Sequence, residues 1–184
     1  MAITPKLMTA DELFRLPDDH MRHELVRGEL RTLPLRTLEQ AVPSSNALHS
    51  LYDYAEAYHL GAVVGGVGFI LETDPDTVRA ADVVFVRQDR VPRGDAAIGY
   101  VHGAPDLAVE VVSRDDLYLD VHDKIAEWLE HGTRLVFVVN PRRRTVAVHR
   151  PGQPVTVLGI DDVLSGEDVV PGWRLAVRDL FDQE

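Results

Sequence analysis

Leu107-Ala-Val-Glu-Val-Val112 opens the most informative stretch of this 184-residue chain. It is followed by the segment Asp120–Glu130 and then by the run Arg134–Val139. The first and third stretches are short, apolar and rich in β-branched residues, which is typical of strands covered on both faces. The segment between them repeats apolar residues at helical spacing, and Gly132 suits the end of a helix. The order predicts an α/β fold in which this helix crosses over between two apolar strands.

Length and composition set the outer limits on fold and function. A chain of 184 residues, with 45% hydrophobic and 27% charged residues, predicts a single globular domain spanning residues 1–184. Acidic residues number 30 against 19 basic ones, for a formal charge of −11. This balance excludes a protein that coats nucleic acid through a broadly basic surface, but it leaves room for a local basic channel.

Cysteine is absent, which excludes a disulfide framework, a thiolate metal site and a cysteine nucleophile. The N-terminal sequence lacks the charged start and apolar core of a secretory signal, and no run of about 18 apolar residues occurs. We therefore expect a cytoplasmic protein without membrane association.

The N-terminal third predicts a short helix followed by a hairpin. Thr9-Ala-Asp-Glu12 has the spacing of a capping box, and it predicts a helix ending near Arg15. The segment His23–Leu33 alternates apolar and polar residues on either side of Gly28, which predicts a tight β-hairpin. Glu24 would lie on its first strand.

Further elements are predicted on both sides of the central unit. Helical spacing runs over 45–59, and a single glycine-punctuated strand is predicted over 62–71. A short apolar strand is predicted at Val83–Val86 and another strand at Thr145–His149. The apolar runs Val155–Leu158 and Trp173–Val177 predict an added edge strand or hairpin, or a subunit interface.

Two carboxylates interrupt the apolar strands. Asp82 opens the strand Val83–Val86, and Glu110 lies inside Leu107–Val112. Burying an ionised carboxylate costs several kcal/mol unless a partner compensates it. On neighbouring strands the two could converge on a hard cation such as Mg²⁺. The alternative is that Asp82 caps a strand and Glu110 lies on a solvated edge.

Lys124 is unusual because only Lys6 and Lys124 of the 19 basic residues are lysine. At 100° per residue it lies roughly 85° from the middle of the apolar stripe of its helix, on the margin of the buried face. From there the ammonium could reach a site at the strand ends and act on a phosphate. The alternative is a helix lysine whose head group extends into solvent.

An ordered series of motifs carries a family resemblance. The motifs are His23-Glu-Leu-Val-Arg-Gly-Glu-Leu30, Arg79-Ala-Ala-Asp-Val-Val-Phe-Val86, Gly103-Ala-Pro-Asp-Leu-Ala-Val-Glu-Val-Val-Ser113, Asp123-Lys-Ile-Ala-Glu-Trp-Leu-Glu-His-Gly132 and Val136-Phe-Val-Val-Asn-Pro141. Each is weak alone, but their succession from about Thr9 to Phe181 resembles the Uma-type restriction endonuclease family of the PD-(D/E)XK nuclease superfamily. The resemblance implies a restriction-endonuclease-like mixed β-sheet core flanked by helices, with an N-terminal helix and hairpin and a C-terminal hairpin added.

The resemblance also implies a function and a set of site residues. It implies hydrolysis of phosphodiester bonds, most naturally in DNA, with Mg²⁺ or Mn²⁺ and as a homodimer. Asp82 and Glu110 match the metal-binding acids, and Glu24 matches an upstream acid that completes the metal shell or orients water. Lys124 matches the helix lysine that replaces the one usually found two residues after the second acid. Ser113 matches a supporting hydrogen-bonding residue.

One departure from the family pattern is Ala81, where proline usually precedes the Asp.

The alternative function is that of a nuclease-like fold without activity, which serves as a binding or assembly module. The acidic balance and the absence of a DNA-reading motif favour this alternative.

Weaker signals have simpler readings. Gly65-Gly-Val-Gly68 lacks the Gly-Lys-Ser/Thr continuation of a phosphate loop, so a glycine-rich strand or bulge is expected. His20 and His23 have no cysteine or third ligand nearby for zinc. Asp106 is expected to act at the start of its strand. The arginine run 142–144 is expected at a solvated hairpin tip, with phosphate contact as the alternative.

Overall fold

The computed structural model describes residues 7–113 and 118–182. The α-helices are α1 (Ala10–Phe14), α2 (Leu38–Ala57) and α3 (Tyr118–Glu130). The strands, in chain order, are β1 (Arg22–Val26), β2 (Glu29–Leu33), β3 (Gly61–Val64), β4 (Gly68–Glu72), β5 (Thr77–Ala80), β6 (Val83–Arg87), β7 (Val101–His102), β8 (Leu107–Val111), β9 (Leu135–Asn140), β10 (Thr145–His149), β11 (Thr156–Leu158), β12 (Val163–Ser165) and β13 (Arg174–Ala176). Two 3₁₀ turns span Gly94–Ala97 and Val177–Leu180.

The chain divides into two compact units. Of the described residues, the first unit takes 7–35, 67–80 and 92–104. The second unit takes 36–66, 81–91, 105–113 and 118–182.

A five-stranded sheet with the order β2-β1-β5-β4-β7 forms the first unit. Helix α1 starts with the predicted capping box, in which Thr9 N donates to Glu12 Oε2 at 3.0 Å and Glu12 N donates to Thr9 Oγ1 at 3.2 Å. The predicted hairpin is also present, and its turn places Arg27 at φ 50° and Gly28 at φ 78°. A small core of Ala10, Leu13, Leu25 and Val78 holds helix and sheet together.

A six-stranded sheet with the order β11-β10-β9-β8-β6-β3 forms the body of the second unit. Strands β8 and β9 are parallel and are joined by α3, as the central pattern predicts, and the other neighbours are antiparallel. One face carries the core side chains of these strands, such as Val109 and Phe137, and α2 adds Ala47, Leu51 and Ala55 to the same core. Side chains alternate along a strand, so Glu110 points to the opposite face.

Helix α2 begins seven residues before the predicted start. The missed signal is a second capping motif, in which Thr37 N donates to Gln40 Oε1 at 3.1 Å. Pro43 lies inside the helix and is buried. A proline lacks the amide that would bond to Glu39, which is exposed near the helix start, so the lost hydrogen bond falls where solvent can replace it.

The single strand predicted over 62–71 is wrong. The chain bends at Gly65 and Gly66, where Gly66 has φ 72°, so β3 and β4 belong to different sheets in different units. Two apolar strands without a polar break between them resemble one long strand, because each is internally consistent with a buried strand.

The C-terminal runs form an edge strand and a hairpin, as one of the predicted alternatives requires. β11 pairs with β10 at one end of the six-stranded sheet, and β12 pairs with β13 as a separate two-stranded sheet. Trp173 is buried in the core of this unit and stacks on Phe137 with ring centroids 6.1 Å apart.

Candidate active site

Asp82 lies one residue before β6 and is tied to the neighbouring strand by two hydrogen bonds. Its backbone N–H donates to Val109 O at 3.0 Å, and its carboxylate Oδ2 accepts from Val111 N at 2.6 Å. The side chain is only 5% exposed and forms an ion pair with Arg36. Asp82 therefore caps β8, as the structural alternative proposed, and is at the same time a buried, charge-compensated carboxylate.

Glu110 lies on β8, between β9 and β6, so the solvated-edge alternative is wrong. Its side chain is 11% exposed. Trp128 Nε1 donates to Oε1 at 2.9 Å, and Lys124 Nζ donates to Oε2 at 3.1 Å and lies 3.0 Å from Oε1. The carboxylate is thus oriented by two residues of α3.

Asp82 and Glu110 lie on neighbouring segments of the sheet. Val83, the first residue of β6, pairs with Val109 of β8. Asp82 N donates to Val109 O and Asp82 Oδ2 accepts from Val111 N, so Asp82 is bonded to the two residues that flank Glu110 in β8. The two buried carboxylates therefore belong to adjacent segments at the same point along β8.

Lys124 projects inward from α3. Its side chain is 14% exposed, and its ammonium contacts both oxygens of Glu110. The position on the margin of the apolar stripe allows this, because the flexible stem can follow the buried face to the strand. The solvent-directed alternative is wrong.

Two polar partners in this region escaped the sequence reasoning. Arg36, just before α2, pairs with Asp82, and its Nη1 donates to Ser44 Oγ at 3.4 Å. No sequence pattern marks it, because the contact joins residues 46 positions apart. Trp128 lies at an apolar position of the helical repeat, and its indole N–H is the signal that points to a polar partner, since a buried indole N–H requires an acceptor.

Glu24 lies in the first unit, on β1 as predicted. Its Oε2 accepts from Arg79 Nη1 at 2.9 Å and its Oε1 accepts from Ala80 N at 3.2 Å. Both charged side chains are buried, at 3% and 10% exposure. Within its own unit Glu24 is therefore an ion-paired carboxylate that anchors β1 to β5.

Ser113 lies two residues beyond the end of β8 and is half-buried. It therefore lies three residues after Glu110 on the same chain segment.

Comparison with known proteins gives the chain a family. The Uma2 family model, described as "Putative restriction endonuclease", matches residues 10–178. The chain belongs to the Uma2 family. A crystal structure from Anabaena variabilis ATCC 29413, titled as "a putative nuclease belonging to DUF820", is similar with a TM-score of 0.82. It is 22% identical, and the match covers 95% of this chain and 97% of that one. No curated protein gives a match. The predicted restriction-endonuclease-like fold is confirmed.

The donor set fits the hard divalent cation expected of this Uma2 member. Asp82 and Glu110 offer carboxylate oxygens from neighbouring segments of the sheet, and Mg²⁺ is commonly held by one or two carboxylates with water and substrate phosphate. Within residues 7–113 and 118–182, no group of three or more His, Asp or Glu side chains is placed to hold an ion. Asp82 and Glu110 are therefore the pair of acids that could hold such an ion.

The remaining candidates have structural roles. Gly65 and Gly66 form the bend between β3 and β4, with no helix after them. His23 bonds to Asp19 at 3.0 Å and to Thr32 at 3.1 Å. In the part of the chain that the structure describes, neither His20 nor His23 belongs to a metal-binding group.

Asp106 holds the start of β8. Its carboxylate is 3% exposed, accepts from Arg87 N at 2.9 Å and pairs with Arg90 Nη1 at 2.8 Å. The predicted role at the start of the strand is confirmed by this geometry.

No helix among the described residues is long and apolar enough to cross a membrane.

Proposed function

We propose that this protein is a metal-dependent endonuclease that hydrolyses phosphodiester bonds in DNA, with Mg²⁺ or Mn²⁺ held by Asp82 and Glu110. Membership of the Uma2 family supports a nuclease function in general. The observation that carries the finer proposal is the position of the buried Asp82, which is hydrogen-bonded to the two residues of β8 that flank the buried Glu110. Lys124 contacts Glu110.

The acids are held in place before any ligand arrives. Val111 N fixes Asp82, and Trp128 Nε1 fixes Glu110. Hydrogen bonds of this kind orient metal-binding carboxylates and lower the cost of assembling a site. When bound, the ion would supply Lewis-acid polarisation of a phosphate and a more acidic water.

Lys124 supplies a positive charge beside the acids. Its ammonium has three donors on a flexible stem, so it can hold Glu110 and also bind a phosphate oxygen. In a partly desolvated site such a charge stabilises the negative charge that develops on phosphate during hydrolysis. We assign Ser113 a supporting hydrogen-bonding role near Glu110.

Glu24 is proposed as a further acid needed for cleavage, on the strength of the family pattern alone. It lies in the first unit, so its role is tested by a variant of its own, Glu24→Gln.

The formal charge of −11 shapes the expected interaction with DNA. Contact must come from a limited arginine-bearing surface, so we expect modest affinity that depends strongly on metal and salt. We also propose a homodimer, since two sites would suit the two strands of a duplex. A dimeric mass in light scattering is the expected result, and a monomeric mass at all concentrations would contradict it.

The decisive experiment is a cleavage assay on duplex and single-stranded DNA in Mg²⁺, Mn²⁺ or EDTA. The wild type should cleave only with metal, and Asp82→Asn and Glu110→Gln should each abolish cleavage. Asp168→Asn is the matched control, because Asp168 is 78% exposed and pairs with Arg134 outside the site. Absence of cleavage by the wild type, or undiminished cleavage by Asp82→Asn, would refute the proposal. If the protein binds DNA but neither cleaves it nor binds metal, the binding-module alternative is favoured.

A further inference from the structure

Arg36 is a partly buried arginine of the second unit whose guanidinium is incompletely satisfied. Its guanidinium pairs with Asp82 through Nη2 and with Ser44 Oγ through Nη1, and its side chain is 23% exposed. Its Nε is buried and has no hydrogen-bond partner among the described residues. Arg36 is therefore held by Asp82 while part of its fork remains unsatisfied.

An unsatisfied buried donor is costly, and such groups concentrate where a protein has a use for them. The fork of an arginine matches the oxygens of a phosphate as well as those of a carboxylate. Among the described residues, Asp82 is the carboxylate that forms an ion pair with Arg36. A nucleic-acid substrate would bring a second anion to the same place.

Each of the two acids is held by one cation and by one neutral donor. Glu110 is held by Lys124 and also by the neutral donor Trp128 Nε1. Asp82 is likewise held by a neutral donor, Val111 N, so its orientation does not depend on Arg36. The arginine can therefore leave without releasing the carboxylate from its strand.

We propose that Arg36 is the resident counter-cation of Asp82, which a divalent ion replaces, and that the displaced guanidinium binds a phosphate of the substrate. This inference rests on the proposed function. Two cations compete for one carboxylate, so removal of the arginine charge strengthens metal binding. The same removal weakens substrate binding. These opposite signs separate the inference from a purely structural role, in which both properties would decline together.

The test compares Mn²⁺ binding by the wild type, Arg36→Gln and Arg36→Lys. Each protein is titrated with Mn²⁺ in a calorimeter, without DNA. We expect Arg36→Gln to bind Mn²⁺ at least about tenfold more tightly, which corresponds to about 1.4 kcal/mol. Arg36→Lys should keep an affinity near that of the wild type because it retains the charge. Arg134→Gln is the control, since it removes an arginine from the ion pair with Asp168 in the same unit. Its metal affinity should not change.

Steady-state cleavage supplies the second readout. With saturating Mn²⁺, Arg36→Gln should raise KM for DNA at least about tenfold, and Arg36→Lys should recover only part of this loss because it lacks the fork. Metal binding that is equal or weaker in Arg36→Gln would overturn the inference while leaving the proposed function intact. Wild-type protein that binds no metal would overturn both.

A measurement on the wild type covers the case in which Arg36→Gln does not fold. The side-chain Nε–H resonance of Arg36, assigned with Arg36→Lys, should shift as Mg²⁺ is added. Saturation with Mg²⁺ without any shift would overturn the inference.

Discussion

Lys124 Nζ lies 3.0 and 3.1 Å from the two carboxylate oxygens of Glu110, a residue 14 positions earlier on the strand that precedes its helix. The superfamily pattern would place this lysine two residues after the acid, where this chain has Val112. The helix thus delivers the same charge to the same carboxylate from a different segment. The packing of α3 on the sheet brings the lysine to Glu110 from the helix rather than from the strand.

Lys124→Met should abolish cleavage and destabilise the protein. Glu110 would lose its cation while remaining buried, and breaking one side of such a pair costs about 3 kcal/mol. Urea denaturation should therefore show a lower midpoint. The double variant Lys124→Met/Glu110→Gln should recover most of the lost stability but no activity. If Lys124→Met keeps the stability of the wild type, the ion pair between Lys124 and Glu110 contributes little to folding.

Trp128→Phe should lower the free energy of unfolding by about 2 kcal/mol, because the indole N–H that satisfies Glu110 is lost from a fully buried site. Cleavage should also fall, since Glu110 loses its orientation. The matched control is Trp173→Phe, which removes an indole N–H that donates to Ser50 Oγ at 3.0 Å. That variant should lose stability yet keep its cleavage rate. Equal losses of cleavage in both variants would argue against a role specific to Trp128.

Asp106→Asn should reduce stability by about 2 kcal/mol, because it removes the charged acceptor of Arg90 and Arg87 N at the start of β8. Cleavage per folded molecule should stay at the wild-type level, measured well below the unfolding temperature. This sets Asp106 apart from Asp82, which resembles it in sequence context. A large loss of activity at full folding would place Asp106 in the site after all.

Glu24→Gln should lower stability by about 3 kcal/mol, since the buried Arg79 would lose the carboxylate charge of Glu24. Cleavage should fall as well. The double variant Glu24→Gln/Arg79→Met removes both charges and should recover much of the stability. If cleavage returns with stability, Glu24 has only a structural role in its unit; continued loss supports the proposed catalytic role.

Stability should also depend on His149. Burial lowers the pKa of His149, and repulsion from His122 adds to this effect. Because the unfolded state then binds the proton more readily, stability is present above the ordinary histidine pKa near 6.5 and is lost as the pH falls through the folded pKa. The melting temperature of the wild type should drop between pH 7 and 5 more than that of His149→Gln. His102→Gln, which changes an exposed histidine, should follow the wild type.

The sequence by itself determined the local elements and the residue types of the site. The capping box at Thr9, the hairpin at Gly28 and the strand–helix–strand unit around Glu110 follow from short-range spacing, because each is set by neighbours along the chain. The carboxylates in apolar strands were visible for the same reason. The bend at Gly65 and the start of α2 are not predicted correctly, since several local patterns are compatible with those segments.

Only the tertiary structure decided which side chains meet. Hydrogen bonds between Asp82 and the residues on either side of Glu110 bring the two acids onto neighbouring segments of the sheet. The approach of Arg36 to Asp82 and of Lys124 and Trp128 to Glu110 likewise depends on packing between distant segments. Spacing along a chain fixes the face on which a side chain lies, whereas burial and register fix its partners, and these partners make buried charges tolerable in the fold.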